Sequence, residues 1–370
     1  LLLPPEQDGV PYINTPPILS GQDHTFRFKL RQHGTYWYHS HTGVQEQKGV
    51  YGAFVIHPKK KTIPYDKDVV VVISDWADED ADQILKNLRK DGDYYAYKKR
   101  TIRSWFGAIH AGSLGTFLSN EWTRMGGMDL SDVGYDAFLL NGKRESQLLE
   151  ARPGERIRVR LINAGASTYF HIALAGSPMR VVSADGVDVE PVLAKEILIG
   201  MAETYDLIFE PKAHQNYELR VTAQDGTGSA SGWIGMGEKI RAPVKPRPNL
   251  YTTMGEASMG AGMDHSAHGG TPASAKTAHS DHTATPSPTG IAAHKGMQQS
   301  PANDEPKKAG KTGHQGHQIS GTRIDAASSA ADGPTIDTLT VDDLNATAPT
   351  TLPKNAPTHD VKLVLGGDMQ

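Results

Sequence analysis

In the run Gly34-Thr35-Tyr36-Trp37-Tyr38-His39-Ser40-His41-Thr42-Gly43, two histidines flank one small residue at the end of an aromatic, β-prone stretch. Side chains on a strand alternate faces, so His39 and His41 point the same way from one edge. Their α-carbons would lie about 6.5 Å apart, from a rise of ~3.3 Å per residue. Two imidazoles so placed can feed one metal ion, or one each of two neighbouring ions. The same spacing also suits two surface histidines at a strand end.

A second group of candidate ligands lies far along the chain. Met254, Met259, Met263, His265, His268, His279, His282, His294, Met297, His314 and His317 are scattered through a stretch rich in Gly, Ala, Ser, Thr and Pro. Thioether favours Cu(I) and imidazole suits Cu(II), so this set is compatible with auxiliary copper of either valence, without fixed geometry. The alternative is a low-complexity polar spacer that happens to contain histidine. His24, His33, His57, His110, His171 and His214 show no paired spacing and read as structural or exposed.

With 370 residues, the chain is expected to form two or three domains. A net charge of −4 points neither to nucleic acid nor to an anionic membrane surface. There is no cysteine, which excludes disulfides and thiolate metal sites and leaves the redox compartment open. Histidine, with 16 residues, and methionine, with 10, are the remaining soft-to-borderline ligands. No apolar run approaches the roughly 20 residues that a membrane span needs. The sequence starts at Leu1 and stops in the strand-like run Val361–Gly367, which reads as an internal fragment of a larger protein.

The elements that must hold the histidines are strands. Thr25–Leu30 alternates apolar and polar residues, and Gly49–His57 is a second strand pattern closed by Pro58 and lysines. Further strands are predicted at Val69–Ser74, Arg156–Asn163, Phe170–Leu174, Met179–Ala184, Glu196–Ile199, Tyr205–Phe209 and Tyr217–Thr222. In Arg156–Asn163 the spacing predicts Ile157, Val159 and Leu161 inward and the arginines outward. One helix is predicted from about Glu79 to Arg89, with Asp78 as its N-cap. Many short strands at close spacing argue for a sandwich.

An internal repeat supports two copies of one unit. Gly21 pairs with Gly200, Thr25 with Thr204 and Tyr38 with Tyr217 at a constant offset, and Asp8-Gly9-Val10 is echoed by Asp185-Gly186-Val187. At that offset His39 and His41 fall opposite Glu218 and Arg220. A strand there folds without histidines, which favours a chemical role for the pair. From Thr252 to Gln370 there is no Phe, Tyr or Trp, and residues 252–357 carry too little apolar bulk to offset the entropy of ordering. Disorder is therefore expected there.

The segment Thr35-Tyr36-Trp37-Tyr38-His39-Ser40-His41-Thr42-Gly43-Val44-Gln45-Glu46-Gln47, followed by Gly49-Val50-Tyr51-Gly52, resembles the second copper motif of multicopper oxidases, and most closely that of the bacterial copper-resistance type. Leu1–Pro11 is similar to the run that follows the family's first motif, His-Trp-His-Gly, and Ala202-Glu203-Thr204-Tyr205-Asp206 also fits. The resemblance implies an all-β fold of tandem cupredoxin-like Greek-key β-sandwiches joined by a long disordered linker. Residues 1–64 would be part of domain 1, 65–245 a ligand-free domain 2, 246–357 the Met/His-rich linker, and 358–370 the first strand of domain 3.

It also implies copper as cofactor: a type 1 copper in domain 3, and a type 2/type 3 trinuclear cluster between domains 1 and 3 that reduces dioxygen to water. His39 and His41 match the motif whose members each bind one copper of the type 3 pair. Asp8 matches an acid that relays protons to bound oxygen, although Asp8-Gly9 also makes a turn by itself. Glu46, just past the pair, reads as a surface acid rather than one that orients a histidine, and Trp37 as core packing rather than an electron relay. The family's other three motifs are not in this sequence, so the fragment alone is expected to lack the cluster and oxidase activity. The implied partners are copper ions and dioxygen, the implied location the periplasm, and the implied reaction the oxidation of Cu(I) or phenols. A copper-sequestering binding protein and a laccase-like phenol oxidase are the competing readings.

Overall fold

The computed structural model describes residues 1–123, 130–251 and 334–350. By contacts the chain separates into Leu1–Gly262 with Ile324–Gln370, and Met263–Arg323, and the second part lies wholly outside the described residues. Fourteen strands are described, as expected for an all-β chain. The first two, β1 (Gly34–His39) and β2 (Tyr51–Ile56), form an antiparallel pair in which His39 faces Tyr51. Thr35, Tyr36, Trp37 and Tyr38 are β-branched or aromatic residues that suit a pleated, half-buried surface.

The other twelve strands make one curled sheet. Its members are β3 (Lys67–Trp76), β4 (Ala137–Leu140), β5 (Glu145–Leu149), β6 (Ile157–Asn163), β7 (Phe170–Leu174), β8 (Met179–Ala184), β9 (Val187–Ile199), β10 (Thr204–Phe209), β11 (Gln215–Ala223), β12 (Ser229–Gly235), β13 (Glu238–Ile240) and β14 (Ile336–Leu339). Their order is β4-β3-β6-β10-β8-β9-β7-β11-β12-β5, with β13 on β11 and β14 on β9. The two ends meet where Gly232 of β12 leaves room for Leu140 of β4 and Leu148 of β5. Parallel pairing of β3 with β6 and of β5 with β12 marks the crossovers that two packed layers require. Inside lies one core in which Ile73, Leu140, Ile157, Leu161, Phe170, Ile172, Ile197 and Ile199 are fully buried. This is the expected cupredoxin-like sandwich.

Between β3 and β4 the chain makes four helices: α1 (Ala81–Lys90), α2 (Ala96–Lys99), α3 (Trp105–His110) and α4 (Leu114–Thr123). The first was expected, but it starts later. Asp80, not Asp78, is the N-cap and accepts from the backbone N–H of Asp82 and Gln83. Asp78 instead accepts from the Trp76 indole. Among the described residues no helix is long and apolar enough to cross a membrane.

Three further expectations are corrected. Thr25–Leu30 forms no strand, because among the described residues no strand lies beside it to complete a ladder, and Arg27 N–H donates to the Gln7 side chain instead. The arginines of β6 are buried, with Arg158 2% and Arg160 1% exposed, because β1 covers the face that alternation assigned to solvent. The linker expected over 246–357 is folded at both ends. Tyr251 is buried against Ala108 and Phe117, and β14 pairs with Ala194–Ile197 of β9 while Leu339 joins the core. Residues 252–333 and the strand expected at 358–370 lie outside the described residues.

Candidate metal centre

Strand β1 delivers His39 at its last residue, and Ser40 N–H donates to Val50 O at 3.1 Å to extend the pairing one step. The ring centroids of His39 and His41 lie 4.5 Å apart, inclined by 50°. Trp37, two residues earlier on the same face, stacks on His39 at 4.1 Å and 8° rather than packing only into the core. The indole therefore restrains the plane of the first imidazole.

The chain then folds back through turns. Gln45 N–H donates to Thr42 O, Gly49 N–H to Glu46 O and Val50 N–H to Gln45 O. Gly43 at φ +55° and Gly49 at φ +91° take the left-handed conformations this reversal needs. As a result Glu46 Oε2 sits 3.0 Å from His39 Nδ1. His39 Nδ1 is itself buried and closes no hydrogen bond, so the contact is near but off the bonding direction.

Neighbouring groups pin the loop to the large sheet. Tyr135 Oη donates to Gln47 Oε1 at 3.1 Å and lies 2.8 Å from Ser167 Oγ. Lys48 Nζ reaches Asp82 at 2.7 Å. Burial pushes the Tyr135 phenol up, aided by the charge of Asp75. Burial also raises Asp75, although Ala166 N–H, Thr168 Oγ1 and Ser167 N–H donate to it. A cleft of about 590 Å³ opens beside the loop, lined in part by Lys48, Tyr51, Trp76 and Arg144.

The strand is anchored at its other end by a buried ionic network. Thr35 Oγ1 donates to Asp206 Oδ1 at 2.7 Å and accepts from Arg160 at 2.8 Å. Arg160 grips Asp68 with two bonds of 2.8 Å and reaches Asp206 Oδ2 at 3.1 Å. Arg158 holds the same Asp206 oxygen at 2.6 Å. Close approach completes the seat: a Cβ on Gly34 would lie 2.6 Å from the Gly186 α-carbon.

Two imidazoles side by side form a nitrogen donor set suited to copper. Among the described residues no group of three His, Cys, Asp or Glu that could hold a metal ion occurs. Asp8 ends a short 3-10 turn (Pro5–Gln7), is exposed, and makes no hydrogen bond or ion pair with either histidine. Met254, Met259, Met263, His265, His268, His279, His282, His314 and His317 lie outside the described residues. Opposite His39 and His41 in the second copy, Glu218 and Arg220 form a 3.0 Å ion pair with Glu218 fully buried.

Sequence profiles described as multicopper oxidase match residues 2–61 and 67–236, the first spanning the histidine pair and the second the large sheet. The chain belongs to the multicopper oxidase family. It is 42% identical over 286 residues to copper resistance protein A of Escherichia coli, covering 73% of this chain and 47% of that protein. Copper resistance protein A of Pseudomonas syringae pv. tomato is 40% identical over 275 residues, covering 72% and 45%. A laccase structure from Botrytis aclada is 25% identical with a TM-score of 0.47, covering 66% of this chain and 43% of that one. The chain spans about half the length of these curated relatives. Copper is the family's cofactor, and in this member of the family the two candidate ligands, His39 and His41, come together at the end of β1. Glu46, taken from the sequence as a surface acid rather than one that orients a histidine, lies against His39, where the reversal bounded by Gly43 and Gly49 brings it.

Proposed function

We propose that the chain is part of a periplasmic copper oxidase of the copper-resistance type, which oxidises Cu(I) and reduces dioxygen to water. The observation that carries this reading is the pair of adjacent imidazoles, His39 and His41, on a strand end inside the region that matches the family. When bound, copper supplies the one-electron steps whose sum reduces O₂. The chain's own part is to hold two nitrogen donors at fixed separation. Trp37 restrains one ring, the β1–β2 pairing fixes the strand end, and the bonds from Tyr135 and Lys48 hold the returning loop.

The test uses the complete protein with His39→Ala and His41→Ala. Each variant should retain the fold, lose bound copper and lose oxygen uptake driven by Cu(I). Full copper content with unchanged oxygen uptake in both variants would refute the assignment. Copper loading without oxygen uptake in the unaltered protein would identify a sequestering protein instead. Oxygen uptake with a phenol but not with Cu(I) would identify a phenol oxidase.

A further inference from the structure

We propose that Glu46 is a positioning residue for His39: it keeps the imidazole proton on Nδ1 and so turns Nε2 toward copper. This deepens the copper reading above and rests on it.

The argument begins with the 3.0 Å approach of Glu46 Oε2 to His39 Nδ1. A carboxylate oxygen only accepts, and an unprotonated ring nitrogen also only accepts. Two lone pairs at that distance repel, so the contact is favourable only with the proton on Nδ1. In a neutral imidazole the other nitrogen, Nε2, then carries the free lone pair. Nδ1 has no other hydrogen-bond partner, and a small rotation of the ring onto the carboxylate closes the bond.

Glu46 is not occupied elsewhere. The nearest lysine of the loop, Lys48, is committed to Asp82 at 2.7 Å, and Gln45 accepts from Ser40 Oγ at 2.6 Å. Both partners are partly sheltered, His39 25% and Glu46 30% exposed, so the interaction is not fully screened. The stack with Trp37 then leaves the ring one plane in which to present Nε2. A carboxylate behind a ligand histidine orients the ring and raises its basicity, and loss of such a partner costs about 10–100-fold in metal affinity.

Nitrogen chemical shifts of the metal-free 370-residue chain, labelled with ¹⁵N-histidine and assigned by comparison with His39→Gln, report the tautomer directly. His39 should be protonated on Nδ1 in the unaltered chain. Glu46→Gln should keep that tautomer, because the amide oxygen still accepts, while Glu46→Ala should move the proton to Nε2. In the complete protein, Cu(I) titration against a competing chelator should show affinity about 10–100-fold weaker for Glu46→Ala and a smaller loss for Glu46→Gln. An Nε2–H tautomer in the unaltered chain, or the same tautomer in Glu46→Ala, would overturn the proposal. So would a changed tautomer with unchanged copper affinity. A complete protein that binds no copper at the pair, with the tautomer shifts as expected, would overturn the copper reading and leave the Glu46–His39 contact standing.

Discussion

Replacing Asp206 by Asn tests whether the ionic network, rather than general packing, seats the histidine-bearing strand. Asp206 is 1% exposed and lies between Arg158 and Arg160, which are 3% and 1% exposed. The amide keeps the shape and removes the negative charge, leaving two guanidiniums out of water. Arg160 retains its two bonds to Asp68, but Arg158 keeps only Asp188 at 3.9 Å. Breaking a buried pair costs about 3–5 kcal/mol, and the surviving Asp68 bonds place this one near the lower end, about 3 kcal/mol. For a folded region of this size that corresponds to a fall of roughly 6–12 °C in Tm. Thr35→Val removes the hydroxyl that joins β1 to the network and should cost about 1–3 kcal/mol. Because the two side chains bond directly at 2.7 Å, urea unfolding of the single and double variants should reveal a coupling of about 0.5–3 kcal/mol. Additive effects, or a loss under about 1 kcal/mol for Asp206→Asn, would refute the view that this network ties β1 to the large sheet.

Acid stability should depend on Glu196. Burial works to raise its carboxyl, but the bonds and charges of His171 and Lys245 outweigh it and hold the group at about 2, below the ordinary 4.5. A folded value below the unfolded one contributes stability above about pH 4.5 that is lost as pH falls toward about 2. The shift corresponds to roughly 3 kcal/mol. Glu196→Gln should lower stability at pH 7 and flatten its fall across that window in denaturant titrations at a series of pH values; an unchanged acid profile would contradict the assignment. Gly34→Ala should destabilise by about 1–3 kcal/mol, because φ is +140° and the added Cβ meets the Gly186 backbone. A Tm equal to that of the unaltered protein would show that the two backbones do not pack as described.

Local pattern carried most of the large sheet. Strands β7 and β8 fall on the residues that alternation picked out, and β6 begins one residue later than expected. The errors share a cause: each depended on a partner distant in sequence. Arg158 and Arg160 alternate with Ile157, Val159 and Leu161 as solvent-facing residues do, yet β1, over 120 residues earlier, covers them. β14 was hidden in a polar stretch because a strand at a sheet edge can take its backbone bonds from β9 with little apolar bulk of its own. Helices α2 to α4 were missed because their aromatics follow no clean period, with Trp105, Phe106 and Trp122 largely exposed. Of the candidate site, residue type and spacing showed the histidine pair and left Glu46 between a surface acid and a partner of a histidine, whereas the path of the returning loop places it against His39.

The residues that the sequence offset sets opposite His39 and His41 put two polar side chains to a different use. Whereas β1 ends at His39 and His41 lies beyond it, Glu218 and Arg220 lie two apart on one face in the middle of β11. There the buried carboxylate is saturated: it accepts from Arg220, from Ser231 Oγ at 2.5 Å and from Ala242 N–H at 2.9 Å. Every donor to this carboxylate belongs to the protein, although Arg220 Nε itself is buried without a partner. At the end of β1, His39 Nδ1 is buried beside the Glu46 carboxylate and closes no hydrogen bond. Leaving a buried polar atom unmade costs about 1–3 kcal/mol. If Nδ1–H closes its bond to Glu46 as proposed, that cost at His39 is removed and Nε2 is left as the ring nitrogen free for a metal.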